Sequence, residues 1–184
     1  MNAGSVKDVL VAYATAYGST REIAERLAAH LSERGLAAEA KAVRDVHDVT
    51  AYRAFVVGSA VHRQAWLRPA KDFLRDNADA FATRPLWLFS VGMPAALRGP
   101  WRYLAPKESR VIVEDLPGTL PHHAHRMFSG VVTPAQLPRL GRLLFRLLGG
   151  RFGDYRDWNA IDAWAVEIAG TLLGRSRRGV SPER

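Results

Sequence analysis

The stretch from Asp8 to Arg26, DVLVAYATAYGSTREIAER, constrains this chain more than any other. Asp8–Ala14 is a short apolar run rich in Val, Leu and Tyr, long enough for one buried strand and too short for a helix or a membrane span. Thr15-Ala16-Tyr17-Gly18-Ser19-Thr20 follows, a turn of hydroxyls around one glycine, and from Thr20 onward Ile23, Ala24, Leu27, Ala28 and Leu31 recur at helical spacing. The unit is strand, hydroxyl-rich loop, helix. At such a junction the first N–H groups of the helix lack internal acceptors and the helix dipole favours an anion. The loop can therefore cradle a phosphate, with Thr15, Ser19 and Thr20 as hydroxyl donors. Capping explains the same residues: Ser19 with Glu22 three positions on forms a capping box, which would occupy those N–H groups. Both readings stand on the sequence alone. Other phosphate loops lack their parts here. No Lys follows Gly18 as a P-loop requires, G-x-G-x-x-G is absent, and no acidic cluster flanks Asp8–Ala14 or Ala54–Ser59 as in a receiver domain.

The remaining chain repeats the alternation of apolar run and helical segment. Arg34-Gly35 stops the first helix, with the glycine suited to the C′ position. Strands are expected at Leu36–Val43, Ala54–Ser59, Leu86–Val91 and Arg126–Val132, with a helix from about Pro69 to Ala80 and a long connection over Ala95–Lys107 before Val111–Val113. This pattern predicts an α/β fold: a parallel sheet covered by helices on both faces. In such a sheet a ligand sits beyond the carboxyl ends of the strands, where strand order reverses. Three loops then share one mouth: Thr15–Thr20, Ser59–Trp66 and Ser90–Met93. Pro134–Leu148 sets Leu137, Leu140, Leu144, Leu147 and Leu148 against Arg139, Arg142 and Arg146, a basic amphipathic helix that suits either a core cover or a membrane surface. After Gly149-Gly150, Asp157 can cap a last helix whose buried stripe is Trp158, Ile161, Ala165, Ile168 and Leu172.

Composition narrows the chemistry. With 184 residues the chain suits one domain, expected over 8–173, with a short flexible start (1–7) and a basic flexible tail (174–184). No cysteine is present, which removes disulfides, thiolate catalysis and Cys-type metal sites, so any redox chemistry must come from a bound cofactor. The MNAGSVKD start lacks the apolar core of a signal peptide, and a cytoplasmic location is expected. A net charge of +8 points to anionic partners, yet no nucleic-acid-binding module accompanies it and no specific nucleic acid is expected.

Thr15–Thr20 resembles the flavodoxin phosphate loop, [ST]-x-T-G-x-T, with Tyr17 replacing a threonine, and the strand pattern is similar to the five-stranded flavodoxin-like fold of order 2-1-3-4-5. Further features resemble the menaquinone-dependent protoporphyrinogen dehydrogenase group: Leu88-Phe89-Ser90-Val91 ending the fourth strand, Phe128-Ser129-Gly130 in the fifth, an inserted helix after it closing in Leu148-Gly149-Gly150, and Tyr155-Arg156-Asp157-Trp158 opening the final helix. The likeness covers roughly Asp8–Leu173.

The resemblance implies FMN. Its phosphate would lie at Thr15, Ala16, Tyr17, Gly18, Ser19 and Thr20. Its ring would lie between Ser59, Ala60, Val61 and His62 of one loop and Ser90, Val91, Gly92 and Met93 of the next. It also implies oxidation of a small-molecule reductant such as a porphyrinogen, with a quinone as acceptor. The positive charge and the basic helix 134–148 suit peripheral contact with the inner face of a membrane. Trp66, Trp101 and Tyr103 are candidates for the stacking surface.

Two other functions fit the same fold. A flavodoxin-type electron carrier is typically strongly acidic and uses a glycine peptide beside the flavin, whereas this chain is basic and Ser59–Leu67 has no glycine. A flavodoxin-like binding module that has lost flavin is kept open by Tyr17. Flavin chemistry asks little of side chains, so no catalytic residue is assigned. His62 can serve as a donor or be an exposed loop residue. Arg63, Arg68 and Arg98 can each pair with a substrate carboxylate or simply be surface arginines. His122, His123 and His125 resemble a metal cluster but precede the fifth strand, at the edge opposite the mouth, and no metal site is assigned there.

Overall fold

The computed structural model describes residues 7–62, 64–92, 121–136, 138–147 and 150–179. Strand β1 (Lys7–Ala14) is apolar on both sides of its pleat and buried on both, as a central parallel strand must be. Helix α1 (Ser19–Ser32) returns over it and buries Ile23, Ala24, Leu27, Ala28 and Leu31; Gly35, at φ 84°, ends that turn. Then come β2 (Ala38–Ala42), β3 (Tyr52–His62), the short β4 (Ala65–Trp66), helices α2 (Arg68–Asp76) and α3 (Ala78–Thr83), β5 (Leu86–Gly92) and β6 (Ala124–Ser129). The main sheet has the order β2-β1-β3-β5-β6 with all neighbours parallel. Setting aside β4, which folds back antiparallel on the end of β3, this is the expected 2-1-3-4-5 order.

Two cores cover the two faces. Val9, Val11, Ala54, Val56, Trp87 and Phe89 meet α1 and the last helix, α5 (Trp158–Gly179). Leu10, Ala12, Phe55, Val57, Leu86 and Leu88 meet α2 and α3. The strict alternation of these positions follows from the two-residue period of a strand.

Several elements differ from the sequence expectation. The single helix over Pro69–Ala80 is two, because the Asn77 side chain donates to the Phe73 carbonyl (2.9 Å) while the Asn77 backbone carbonyl accepts from the N–H groups of Ala80 (3.1 Å) and Phe81 (3.2 Å), ending one helix and starting the next. The fifth strand breaks at Gly130, where Val131–Val132 (β7) leaves the sheet to pair antiparallel with Gly153–Asp154 (β8). Between them lie a 3-10 turn, Pro134–Gln136, and helix α4 (Arg139–Leu147). Asp157 caps α5, its Oδ1 accepting from the Ala160 N–H at 3.0 Å. The helix continues to Gly179, past Leu173, where a tail was expected to begin; 180–184 lie outside the described residues, as do 1–6 and Val111–Val113.

Candidate functional site

Parallel pairing sets the carboxyl ends of the strands side by side: Ala14 is in register with Ser59, Ser59 with Ser90, and Gly92 with Ser129. A cavity of about 250 Å³ opens beyond them. Thr15, Ala16, Tyr17, Ser19 and Thr20 form one wall, Ala60, Val61 and His62 a second, and Val91 and Gly92 a third. The structure thus brings together ten of the residues singled out in the sequence. Gly18 sits in the same loop as the N-cap of α1, and Met93 lies outside the described residues, with Arg63, Arg98, Trp101 and Tyr103.

The loop decides between cap and cradle. Gly18 is the N-cap at φ 96°, and no side chain makes a cap hydrogen bond to the helix. Ser19 is the first helical residue, and its Oγ accepts instead from the N–H of Val131 at 3.1 Å. Glu22, the other half of the expected box, pairs with Arg156. The capping box is therefore absent, because a partner from β7 has taken the serine and one from the link before α5 has taken the glutamate. The first intrahelical bond runs from the Glu22 N–H to the Gly18 carbonyl (3.1 Å), so the helix offers no acceptor to the amides of Ser19, Thr20 and Arg21.

The three hydroxyls are placed differently. Thr15 Oγ1 accepts from the Gly18 N–H at 2.9 Å and closes the turn, while keeping its own proton to donate. Ser19 does likewise with Val131. Thr20 is 1% exposed and lines the cavity, and its hydroxyl has no hydrogen-bond partner among the described residues. No buried side-chain polar atom lacks a partner among the described residues, so this hydroxyl is open to the cavity, where water or a bound anion can accept from it. Tyr17 is 63% exposed at the rim, so its phenol does not fill the hollow.

Ser59 and Ser90, expected beside the ring, lie in the floor beneath the cavity and are not part of its lining. Both continue the rows Phe55-Val57 and Leu86-Leu88, so pleat parity turns them toward the α2 face. There Ser59 Oγ accepts from the Leu67 N–H (3.0 Å) and donates to the Ala60 carbonyl (2.9 Å). Ser90 Oγ accepts from Trp66 Nε1 (2.7 Å) and shares a hydrogen bond with His125 Nε2 (2.9 Å). Burial, with His122 nearby, pushes His125 down to about 4, so the ring is neutral. Trp66 is thus a core residue that pins the β3–β4 hairpin, and it offers no stacking face to the cavity. Arg68 pairs with Asp72 (3.6 Å), away from the cavity lining. His123 lies edge-on to Trp87, with ring centroids 4.8 Å apart, and no three potential metal ligands converge among the described residues.

The sequence reading missed Gly130, Val131 and Gln136, which complete the lining. Gly130 is needed for close approach: a Cβ there would lie 3.0 Å from Val91 Cγ1 and 3.3 Å from Ser19 Cβ. Gln136 holds β7 through the Val131 carbonyl (3.0 Å) and the Thr133 N–H (3.2 Å). The glycine-dependent turn after Phe128-Ser129 was the available signal for the first two. A second cavity of about 260 Å³ lies on the other side of Thr15, lined in part by Tyr13, Arg21, Arg44 and Leu67.

Comparison with known proteins supports the same architecture. Residues 10–149 match the family model described as flavodoxin domain. No curated protein matches the sequence. Among solved structures, a flavodoxin from Archaea is similar at 13% identity with a TM-score of 0.56, covering 90% of this chain and 99% of its own. Oxidised flavodoxin 2 from Bacillus cereus is similar at 15% identity and TM-score 0.51, covering 91% and 99%. Rubredoxin oxygen:oxidoreductase from Desulfovibrio gigas is similar at 16% identity and TM-score 0.54, covering 91% of this chain and 36% of its own.

Proposed function

The chain belongs to the flavodoxin domain family, and from that premise we propose that it is an FMN-dependent oxidoreductase of the protoporphyrinogen dehydrogenase type, passing reducing equivalents from a small reduced substrate to a quinone. The observation that carries the cofactor is the uncapped start of α1: the amides of Ser19 and Thr20 have no acceptor in the helix, and the Thr20 hydroxyl, without a partner among the described residues, opens into the cavity that both residues line. That donor set fits a phosphate monoester and nothing cationic. When bound, FMN supplies reversible hydride or electron transfer at its ring.

The chain's own residues bind and orient. Ser19, Thr20 and Arg21 offer their amides to the phosphate, and Thr15, Ser19 and Thr20 their hydroxyl protons. Val61 and Val91 give the neighbouring walls an apolar surface that sheds water from a planar ring. His62 is exposed at the end of β3, where it can donate to cofactor or substrate. The Ser59 and Trp66 hydrogen bonds fix the β3–β4 hairpin as a wall. Together with the net charge of +8, that wall without a glycine favours the enzyme over an electron carrier.

No described helix is long and apolar enough to cross a membrane. A lipid-soluble quinone would instead be met at the bilayer surface by α4, which leaves the cavity wall just after Gln136 and exposes Leu140 (78%) and Leu143 (57%) beside Arg142 and Arg146. The test is direct. Purified protein should carry, or take up, FMN released by denaturation, and should oxidise protoporphyrinogen with a menaquinone analogue as acceptor. FMN binding without turnover, with a one-electron-reduced form accumulating on photoreduction, would assign it as a carrier. No FMN uptake would leave the binding-module reading.

A further inference from the structure

The sequence places an acid, Glu22, in the first turn of the helix whose N-terminus faces the cavity, and its carboxylate Oε1 is 3.8 Å from where a Cβ at Gly18 would sit. A negative charge there opposes any bound phosphate. Its partner comes from the far end of the chain. Arg156 Nη1 pairs with Glu22 Oε2, while Nε and Nη2 hold Asp154 Oδ1 (2.9 Å) and Oδ2 (2.6 Å). The guanidinium lies over the Trp158 ring at 4.6 Å, and the Arg156 side chain is 11% exposed. Asp154 is in turn paired with Val131, whose N–H binds Ser19. One arginine therefore joins the start of α1 to the β7–β8 wall of the cavity.

We propose that Arg156 is a positioning residue for the phosphate site: it neutralises Glu22 and so makes the start of α1 fit to receive an anion. The inference rests on the FMN reading above. Its geometry suits the task, because a planar fork pinned by Asp154 on one edge and stacked on Trp158 presents its remaining edge to Glu22 without relying on a mobile side chain. A lysine could satisfy the charge but not all three contacts.

Binding of FMN and of riboflavin, which lacks the phosphate, to the full chain should be measured by titration calorimetry for wild type, Arg156→Gln, Glu22→Gln and the double variant. Arg156→Gln should weaken FMN binding about five- to tenfold, the Coulomb cost of one uncompensated charge beside a phosphate at the partly screened edge of the site. Riboflavin affinity should stay unchanged. Glu22→Gln alone should leave FMN binding equal or tighter, and the double variant should return to within about twofold of wild type. Equal losses for FMN and riboflavin, or a double variant as weak as Arg156→Gln, would show Arg156 to be a structural clip only and overturn the proposal. If Arg156→Gln does not fold, Glu22→Gln decides alone: weaker FMN binding overturns it. Wild-type protein that binds no FMN sinks the functional reading itself, whereas wild-type binding with four equal affinities sinks only this inference.

Discussion

Thr20→Val distinguishes an anion cradle from a well-packed helix start, because only the cradle loses FMN affinity while keeping apo stability. The hydroxyl belongs to a residue 1% exposed, has no partner among the described residues, and opens to the cavity. Valine keeps its shape and removes the polar atom. Water in the cavity can satisfy this oxygen in the apo-protein, so its removal should leave apo stability within about 0.5 kcal/mol. For a chain of this size that is a change of at most about 2 °C in melting temperature. FMN binding should lose a hydrogen bond to a charged group, about 1.5–3 kcal/mol, which is roughly a 10- to 150-fold increase in Kd. Riboflavin affinity should not change. Thermal melts of apo-protein and parallel titrations with both flavins measure all three quantities. A lower apo melting temperature with unchanged FMN affinity would refute the reasoning, since it would make Thr20 an ordinary packing residue.

Other outcomes follow from the floor and the loop. Ser90→Ala strands the Trp66 indole N–H and removes one hydrogen bond of His125, and should lower stability by about 1–3 kcal/mol in denaturant melts. Because His125 is held near 4, below its ordinary 6.5, the unfolded chain takes up the proton first; the stability this ring contributes is full above pH 6.5 and is lost as pH falls toward 4. His123, also lowered by burial, acts in the same direction. At the opposite edge of the sheet, burial would raise Glu39, but hydrogen bonds from Lys7, Tyr52 and Lys41 outweigh it and bring the carboxyl down to about 2, so its contribution is present above pH 4.5 and is lost as pH falls through 2. Melts between pH 7.5 and 4.5 should therefore show the histidine effect first, and a flat profile there would contradict it. Gly58→Ala should cost about 3 kcal/mol or more, because the new methyl would enter the Phe89 ring in the core; a change below 1 kcal/mol would contradict that packing.

The first strand, loop and helix were legible because their signals are local: a two-sided apolar run, a glycine that can take φ 96°, and a helical stripe. The strand order was legible only through the resemblance of the whole pattern to a known fold. Pleat parity was not. Ser59 and Ser90 sit at the right level of the sheet, but whether they face the cavity depends on which side Trp66 and Leu67 cover. The capping box read from Ser19 and Glu22 failed for a related reason. The residues that claim them, Val131 and Arg156, are brought in by the turn at Gly130 and by the link before α5, far along the chain. Trp164, fully buried against Phe89 and Phe128, was missed in the last helix because the stripe was traced through its neighbours.

The central claim is that the start of α1 holds the phosphate of a flavin mononucleotide. A crystal structure of the protein with FMN tests it most directly. The account predicts phosphate oxygens within hydrogen-bond distance of the Ser19, Thr20 and Arg21 amides and of the Thr20 hydroxyl, with the ring lying against Val61 and Val91. A phosphate bound instead in the second cavity, between Arg21 and Arg44, with the Thr20 hydroxyl still unpartnered, would contradict it.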